Sequence, residues 1–208
     1  MDINKINNPE VTLKMKKIFI AAFILIISFF TTQSYVFAQD STGNNDMQAF
    51  MKYMTPAKEH KMLEKFNGEW DFQMKIWMNP DGPPSTASGS AKFEMILGGR
   101  YQLSHQDCKV MGMPMNGMNI VGFDNAKKVF MNLWIDNMGT GMMYCEGTYD
   151  EQSKTFNYRG KSVNPVSGKD EDFRQLMKCT DENNFSIETY MIKDGIETKS
   201  MEISYTRK

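Results

Sequence analysis

The segment richest in one reactive side chain is residues 111–118, MGMPMNGM, in which four of the eight residues are methionine. Thioether sulfur is a soft ligand that prefers Cu(I), so such a cluster is a candidate copper site. However, no histidine or cysteine stands within the segment, and the chain has 20 methionines in all. Methionine also fills irregular apolar gaps and lines adaptable binding surfaces. We therefore expect these side chains to line an apolar rim, and we predict no metal site.

Two carboxylates stand two residues after an aromatic side chain, since Asp136 follows Trp134 and Glu146 follows Tyr144. General acid–base catalysis needs a carboxylate with a shifted pKa in a desolvated cleft. These two residues are therefore the candidates if the protein is an enzyme. Asp136 also begins the sequence DNMGTG, and because Asp and Asn favour turns, a turn role is favoured for it.

Histidines and cysteines complete the reactive groups. The two histidines are His60 and His105, and no GxSxG stretch is present, so the sequence indicates no Ser–His–Asp arrangement. His105 has no supporting motif, and a surface or cross-strand histidine is the more common arrangement for such a residue. Cys108, Cys145 and Cys179 form no CxxC pair, which argues against a zinc ribbon. The sequence leaves open whether two of the three cysteines form a disulfide bond or all three are unpaired core or strand residues.

The first 38 residues have the pattern of a secretory signal peptide. A lysine-rich stretch ending at Lys17 precedes the apolar run 18–30, and Val36 and Ala38 occupy the −3 and −1 positions of a small-residue cleavage site. The run has 13 residues, which is short for a membrane span of about twenty. We expect cleavage after Ala38 and export to the periplasm or medium. Translation from Met1 or from Met15 is left open.

Length and charge narrow the function classes. The expected mature chain, 39–208, suits one domain with a sizeable core. The whole chain carries a formal net charge of −1, which gives no basic footprint for nucleic acid. No second apolar run is long enough to span a bilayer.

The segment before residue 68 has a helical period. We expect 39–54 to be a polar linker followed by a short amphipathic helix, because Met47, Phe50, Met51 and Met54 recur on one helical face. This helix is a candidate lid over a binding site. A second helix is predicted from Pro56 to about residue 66, with Thr55 as its N-cap.

After Gly68 the apolar period changes to two, and about ten short strands follow, joined by short turns. Consecutive hairpins form an antiparallel meander, and a long meander protects its edges best by closing. We therefore predict an all-β fold, an antiparallel up-and-down β-barrel of about ten strands with one or two short N-terminal helices. An open two-sheet sandwich is the structural alternative.

Several strands carry mixed faces. One face of 129–136 is wholly apolar, whereas the other combines Phe130, Asn132, Trp134 and Asp136. A barrel that holds one small ligand has apolar and aromatic walls with a few polar groups. The simpler explanation is that the polar face is the wet outside of the sheet, and the sequence leaves this choice open.

A series of motifs resembles the domain-of-unknown-function family 1579: TPAKEHKMLEKFNGEWDF, GGRYQL, MGMPMNGMNIVGFDNAKK, WIDNMGTGMM and EISYTRK. The match covers about 55–208. The family is similar to the calycins, the barrels of lipocalins and fatty-acid-binding proteins. The resemblance therefore implies a calycin-like barrel, and it implies that part of the methionine segment is a family turn. It brings no catalytic residues.

The calycin resemblance suggests roles for Trp70, Tyr205 and Arg207, and position at a strand start suggests one for Arg100. Trp70 corresponds to the tryptophan that plugs the barrel floor in lipocalins. Tyr205 and Arg207 resemble the carboxylate anchor on the last strand of fatty-acid-binding proteins, in reversed order. Arg100, after a double glycine, is placed to meet a ligand carboxylate or to cap the barrel with a salt bridge.

The leading hypothesis is an exported, non-enzymatic barrel that binds a small, largely apolar molecule without a cofactor. The alternatives are an enzyme of unassigned class using Asp136 or Glu146, and a structural or partner-binding barrel with a filled core. A homodimer is left open. The predicted ligand-binding residues are Trp70, Arg100, Tyr101, Met113, Met115, Trp134, Asp136, Tyr144, Glu146 and Tyr205.

Overall fold

A computed structural model describes residues 41–208, with side-chain surroundings from residue 44 onward. The predicted signal peptide and its cleavage site lie outside the described residues. The contact pattern divides the chain into Met1–Met47 and Gln48–Lys208. Of the first unit only the beginning of one helix is described, whereas the second unit contains the rest of that helix and all the elements that follow.

Two helices precede the sheet: α1, Ser41–Met54, and α2, Lys58–Glu64. The first begins earlier than its apolar pattern suggested, because the polar residues of the expected linker are helical from Ser41 on. The N-cap of α2 is Ala57 and not Thr55. Thr55 instead donates its hydroxyl to the Met51 carbonyl (2.7 Å), while the Ala57 amide donates to Nδ1 of His60 (2.9 Å).

Ten antiparallel strands close into a barrel in which each strand pairs with its neighbours in the chain and β1 pairs with β10. The predicted up-and-down barrel is thereby confirmed, and the open sandwich is wrong. Closure leaves no unpaired edge, which is the physical reason for preferring it. The strands are β1 Gly68–Ile76, β2 Ser85–Ile96, β3 Tyr101–Val110, β4 Met113–Asp124, β5 Val129–Asp136, β6 Met143–Asp150, β7 Thr155–Val163, β8 Asp170–Cys179, β9 Asn184–Lys193 and β10 Ile196–Arg207.

The methionine segment is mostly strand and not loop. Met111 (φ 52°) and Gly112 (φ 83°) form the two-residue turn, and positive φ at both positions is what a type I′ hairpin turn requires. β4 therefore begins at Met113. Met115 is buried inside the barrel, whereas Met118 has the opposite strand phase and is only half-buried. The four methionine side chains of this segment therefore do not come together around one point, as the ligands of a metal site would.

The two ends of the barrel differ. The closed end carries α2, the start of β1, the end of β10 and the turns at 97–100, 125–128, 151–154 and 180–183. The open end carries the turns at 77–84, 111–112, 137–142, 164–169 and 194–195. The residues Gln48–Met54 of α1 attach to the closed end, because Asn125 and Arg100 donate to the carbonyls of Tyr53 (3.0 Å) and Met54 (2.7 Å).

Aromatic side chains fill the closed end. Trp70 is 1% exposed and meets Phe185 edge-on with ring centroids 4.8 Å apart. Phe185 in turn stacks on Tyr205 at 4.3 Å. The Trp70 indole donates to the Phe66 carbonyl at the end of α2 (2.8 Å), so the helix and the barrel floor form one packed unit.

Candidate functional site

A cavity of about 530 Å³ occupies the part of the barrel between the aromatic floor and the open end. Its walls are mostly apolar, and they include many methionines. Since the side chains of a barrel strand alternate between inside and outside, each strand contributes every second residue to these walls. The methionines that line the cavity are Met74, Met78, Met115, Met138, Met143, Met177, Met191 and Met201.

The Trp134 indole lies against the cavity wall near the open end. Gly117 lies beneath the ring, and its lack of a side chain leaves room for it. A Cβ added at Gly117 would lie 2.2 Å from the Trp134 ring, so only glycine fits beneath the indole. The indole N–H donates to Oδ2 of Asp136 (2.6 Å), while Oδ1 of the same carboxylate accepts from the Met138 amide (2.8 Å). Asp136 therefore both begins the turn and holds the tryptophan ring.

A chain of side-chain amides crosses the cavity wall. Asn119 donates to Asn132, Asn132 donates to Oε1 of Gln175 (3.2 Å), and Gln175 donates to the Thr189 hydroxyl (3.3 Å). The four residues come from β4, β5, β8 and β9. Because buried polar groups are costly unless they are paired, this chain gives the interior a polar band whose members satisfy one another.

A second polar pair lies beside the floor. The Tyr205 hydroxyl donates to Oε1 of Gln106 (2.9 Å), and both side chains line the cavity. Burial raises the pKa of Tyr205. The tyrosine therefore stays neutral and acts as a hydrogen-bond donor.

Tyr158 and Cys145 bring two further titratable groups to the wall. Burial raises the pKa of the Cys145 thiol to about 12 and raises that of Tyr158 as well. Both groups are therefore neutral near pH 7. Cys108, Cys145 and Cys179 are all free thiols in the structure, and burial raises the pKa of each, which is unlike a reactive thiolate.

Residues 55–207 match the model of a family described as proteins of unknown function, DUF1579. The chain belongs to the DUF1579 family. No curated protein matches this DUF1579 chain. The structure of Rv2717c from M. tuberculosis is similar over 74% of this chain and 99% of that one, with 13% sequence identity and a TM-score of 0.55. At this identity the similarity concerns the fold alone. A redesigned β-barrel aligns over 70% of this chain and 94% of its own, with 10% identity and a TM-score of 0.36.

Among the ten predicted ligand-binding residues, the DUF1579 barrel brings four to the cavity wall and places six elsewhere. The four are Met115, Trp134, Asp136 and Tyr205. The six that do not line the cavity are Trp70, Arg100, Tyr101, Met113, Tyr144 and Glu146.

Three of these six serve the closed end or the surface near it. Trp70 lies below the cavity in the aromatic floor. Arg100 is exposed, and it donates to the Met54 and Leu97 carbonyls (2.7 and 3.2 Å), so it holds the end of α1. Tyr101 lies on the outer surface, where a Cβ added at Gly122 would be 2.7 Å from its ring.

The other three face the solvent. Met113 is 51% exposed at the start of β4. The Tyr144 hydroxyl donates to Glu146 (2.7 Å), and Lys127 lies 3.3 Å from the same carboxylate. The hydrogen bond from Tyr144 lowers the pKa of Glu146. General acid catalysis would need the opposite shift in a desolvated cleft.

The cavity also contains polar residues that the sequence prediction missed, namely Gln102, Gln106, Tyr158, Gln175 and Thr189. The period-two pattern contained a signal for β3, because Gln102, Ser104 and Gln106 alternate with Tyr101, Leu103 and His105. An apolar-inside rule selects the wrong face of this strand. The buried face is the polar one.

The two histidines have separate roles. His60 is buried in α2, where its ring meets Phe123 edge-on at 6.0 Å. His105 lies on the exposed face of β3, away from the cavity wall. Within residues 41–208 no group of three or more His, Cys, Asp or Glu side chains is arranged to hold a metal ion. In the same range no helix is long and apolar enough to cross a membrane.

Proposed function

We propose that this protein binds one small, largely apolar molecule inside its barrel. The observation that supports this proposal is the cavity of about 530 Å³ behind an apolar, methionine-rich wall. Ligand pockets in proteins typically have volumes of about 300–1,000 Å³, with mostly apolar walls and a few polar groups. Burial of apolar ligand surface, worth about 25 cal/mol per Å², is the expected driving force.

The ligand would enter from the open end. The floor is packed with aromatic rings, and the cavity-lining residues Trp77, Met78 and Met138 belong to the turns of the open end. Because methionine is flexible and polarizable, this rim can change shape around an entering molecule. The part of α1 from Gln48 to Met54 attaches at the opposite end, so we assign the lid role to the open-end turns and not to α1.

The proposal is tested with the full chain purified without refolding. Trp77 and Trp134 line the cavity, so intrinsic fluorescence reports on ligands inside it. We expect saturable changes with uncharged apolar probes, one molecule bound per chain. Native mass spectrometry of the same preparation should show a co-purified organic molecule that is released on unfolding.

A matched pair of variants separates the cavity from the outer surface. Ser162 lines the cavity near the open end, whereas Ser204 is exposed on the outside of β10. Ser162→Trp should fill the entrance and weaken binding at least about tenfold, and Ser204→Trp should leave it unchanged. Equal affinity in both variants, or no saturable binding by the wild-type chain, would contradict the proposal.

We also propose that the chain is exported, on the basis of the signal-peptide pattern in residues 1–38. N-terminal sequencing of the protein from the extracytoplasmic fraction should give Gln39 as the first residue. An unprocessed chain in the cytoplasmic fraction would exclude export. The homodimer stays a prediction. Sedimentation velocity of the same preparation tests it.

A further inference from the structure

The charge of the cavity wall restricts the ligand. Among the residues of the described range 41–208 that line the cavity, Asp136 is the only carboxylate, and lysine, arginine and histidine are absent. An ionised carboxylate or phosphate placed in an apolar cavity without a cation loses its hydration with no compensation. Arg207, the cation nearest the calycin anchor position, donates to the carbonyls of Lys65, Asn67 and Glu182 and lies at the closed end.

The Asp136 carboxylate already has hydrogen-bond partners within the protein. Both oxygens of Asp136 accept hydrogen bonds, from the Trp134 indole at 2.6 Å and from the Met138 amide at 2.8 Å. It lies at the open end, where it is half-buried. A cationic ligand group seated there would remain at the entrance, with most of the cavity behind it unused.

The neutral polar groups of the wall are nearly all paired with one another. Asn119, Asn132, Gln175 and Thr189 form the amide chain, and the Gln106 oxygen accepts from Tyr205. Three hydroxyl or amide donors of the lining remain, and one of them, the Ser162 hydroxyl, lies near the open end. Within residues 41–208, neither the Tyr158 hydroxyl nor the Gln106 side-chain nitrogen has a hydrogen-bond partner.

The Tyr158 and Gln106 donors are not sealed inside the protein. The buried side-chain polar atoms that lack both a partner and solvent contact, within the described part of the chain, are Ser104 Oγ and Asn125 Oδ1. Tyr158 and Gln106 both line the cavity. Their free donors therefore open onto the cavity space.

We propose, resting on the function proposed above, that the ligand is an uncharged molecule with an apolar body and a neutral hydrogen-bond acceptor, such as a hydroxyl, carbonyl or amide oxygen, which accepts from the Tyr158 hydroxyl. The Gln106 nitrogen is a second donor on the same wall. This assignment excludes the fatty-acid carboxylate that the Tyr205–Arg207 pattern suggested, because Arg207 is occupied at the closed end.

The test uses four probes with one alkyl chain and different head groups: decanol, decanamide, decanoate and decylamine. At about pH 7 we expect decanol and decanamide to bind at least about tenfold more tightly than decanoate or decylamine, because the charged head groups must lose their hydration. Lowering the pH to about 5 protonates part of the decanoate, so its affinity should rise by about tenfold while that of decanol stays constant.

Removing one oxygen atom tests the named donor. Tyr158→Phe keeps the ring and should weaken decanol and decanamide about fivefold, which corresponds to one neutral hydrogen bond. Tyr149→Phe is the matched control, because Tyr149 packs on Phe156 at 4.6 Å and does not line the cavity. It should leave all four affinities unchanged.

The outcomes separate the two proposals. Decanoate binding as tightly as decanol at neutral pH, or decylamine binding tightest and losing its affinity in Asp136→Asn, overturns the inference while the binding function stands. An unchanged decanol affinity in Tyr158→Phe overturns the role of Tyr158. If none of the four probes binds, the proposed function fails and the inference fails with it.

Discussion

The closed and open ends of this barrel are built from different side chains for different purposes. At the closed end, aromatic rings pack against one another, and Trp70, Phe185 and Tyr205 are each at most 3% exposed. At the open end, flexible side chains meet solvent: Met78, Met138 and Met142 are 77%, 45% and 71% exposed. One sheet therefore carries a rigid floor and an adaptable rim.

The difference shows how a closed barrel can be stable and still contain space. Aromatic burial and hydrogen bonds to α2 stabilise the floor, so the open half does not need to be tightly packed. Substitutions at the closed end should therefore change stability, whereas substitutions at the open end should change binding.

The largest effect is expected at the floor. Trp70→Ala removes a ring that contacts Phe93 and Phe185 and donates to the Phe66 carbonyl, so the free energy of unfolding should fall by about 3–5 kcal/mol. Trp134→Ala, at the half-buried open-end tryptophan, should cost less than half as much. Urea denaturation followed by circular dichroism measures both, and equal losses would remove the distinction between the two ends.

Arg207 should give the second largest effect. Its side chain donates to the Asn67 and Lys65 carbonyls, each at 2.7 Å, and its guanidinium lies 4.2 Å from the Trp70 ring centroid. Arg207→Ala should lower the free energy of unfolding by about 2–3 kcal/mol. Arg207→Lys should recover less than half of this, because an ammonium group cannot reproduce the planar fork.

The neighbouring Lys208 is the control for Arg207. Its ammonium lies 3.3 Å from Asp71, and both side chains are largely exposed. Lys208→Ala should therefore cost at most about 0.5 kcal/mol. A loss as large as that of Arg207→Ala would mean that charge at the chain terminus, and not the hydrogen bonds to the segment after α2, stabilises the floor.

A smaller change in stability is expected at Gly117, together with a displaced Trp134 ring. A methyl group there would lie 2.2 Å from the Trp134 ring, so Gly117→Ala should displace the indole, cost about 1–2 kcal/mol and shift its fluorescence emission to the red. Gly141→Ala, where an added Cβ meets nothing within 4 Å, should change neither. An unshifted emission in Gly117→Ala would show that the ring adapts without leaving its place.

The smallest effect is the pH dependence of the floor. Burial lowers the pKa of His60, and its neutral Nδ1 accepts from the Ala57 amide. The unfolded chain therefore binds this proton more readily, so stability is complete above the unfolded pKa and is lost as pH falls below it. The urea midpoint should decrease from about pH 7.5 to about pH 5.5.

Substitution of each histidine assigns this pH dependence. In His60→Gln the decrease should disappear over the same range, whereas His105→Gln should retain it, because His105 is exposed on the outer face of β3. A decrease that persists in His60→Gln would place the titrating group elsewhere.

Much of the fold was predictable from local patterns. The period-two alternation after Gly68 and the short turns between strands predicted about ten antiparallel strands and their closure. The floor position of Trp70 came from the resemblance to lipocalins and not from a local pattern. The main local error was at 111–118, where a Gly- and Pro-containing segment looked like a loop. Pro114 is tolerated in β4 because the pairing with β5 begins only at Gly117.

The candidate site was less predictable. Trp134 and Asp136 were found because they share a mixed face of β5, but the same reasoning chose the outer face of β6 and so named Tyr144 and Glu146. The register pairs Leu133 with Tyr144 and Asn132 with Cys145. This pairing puts Cys145 on the inside of the barrel together with Asn132.

The sequence alone determined the strands, their order and the antiparallel meander, because alternation and turn chemistry act between residues close in the chain. Only the tertiary structure decided which face of each strand is inside. Polar residues can face the interior only when they find partners there, and these partners, such as Gln175 for Asn132 and Gln106 for Tyr205, are distant in sequence. Such pairs meet only when the barrel closes, so no local pattern can reveal them.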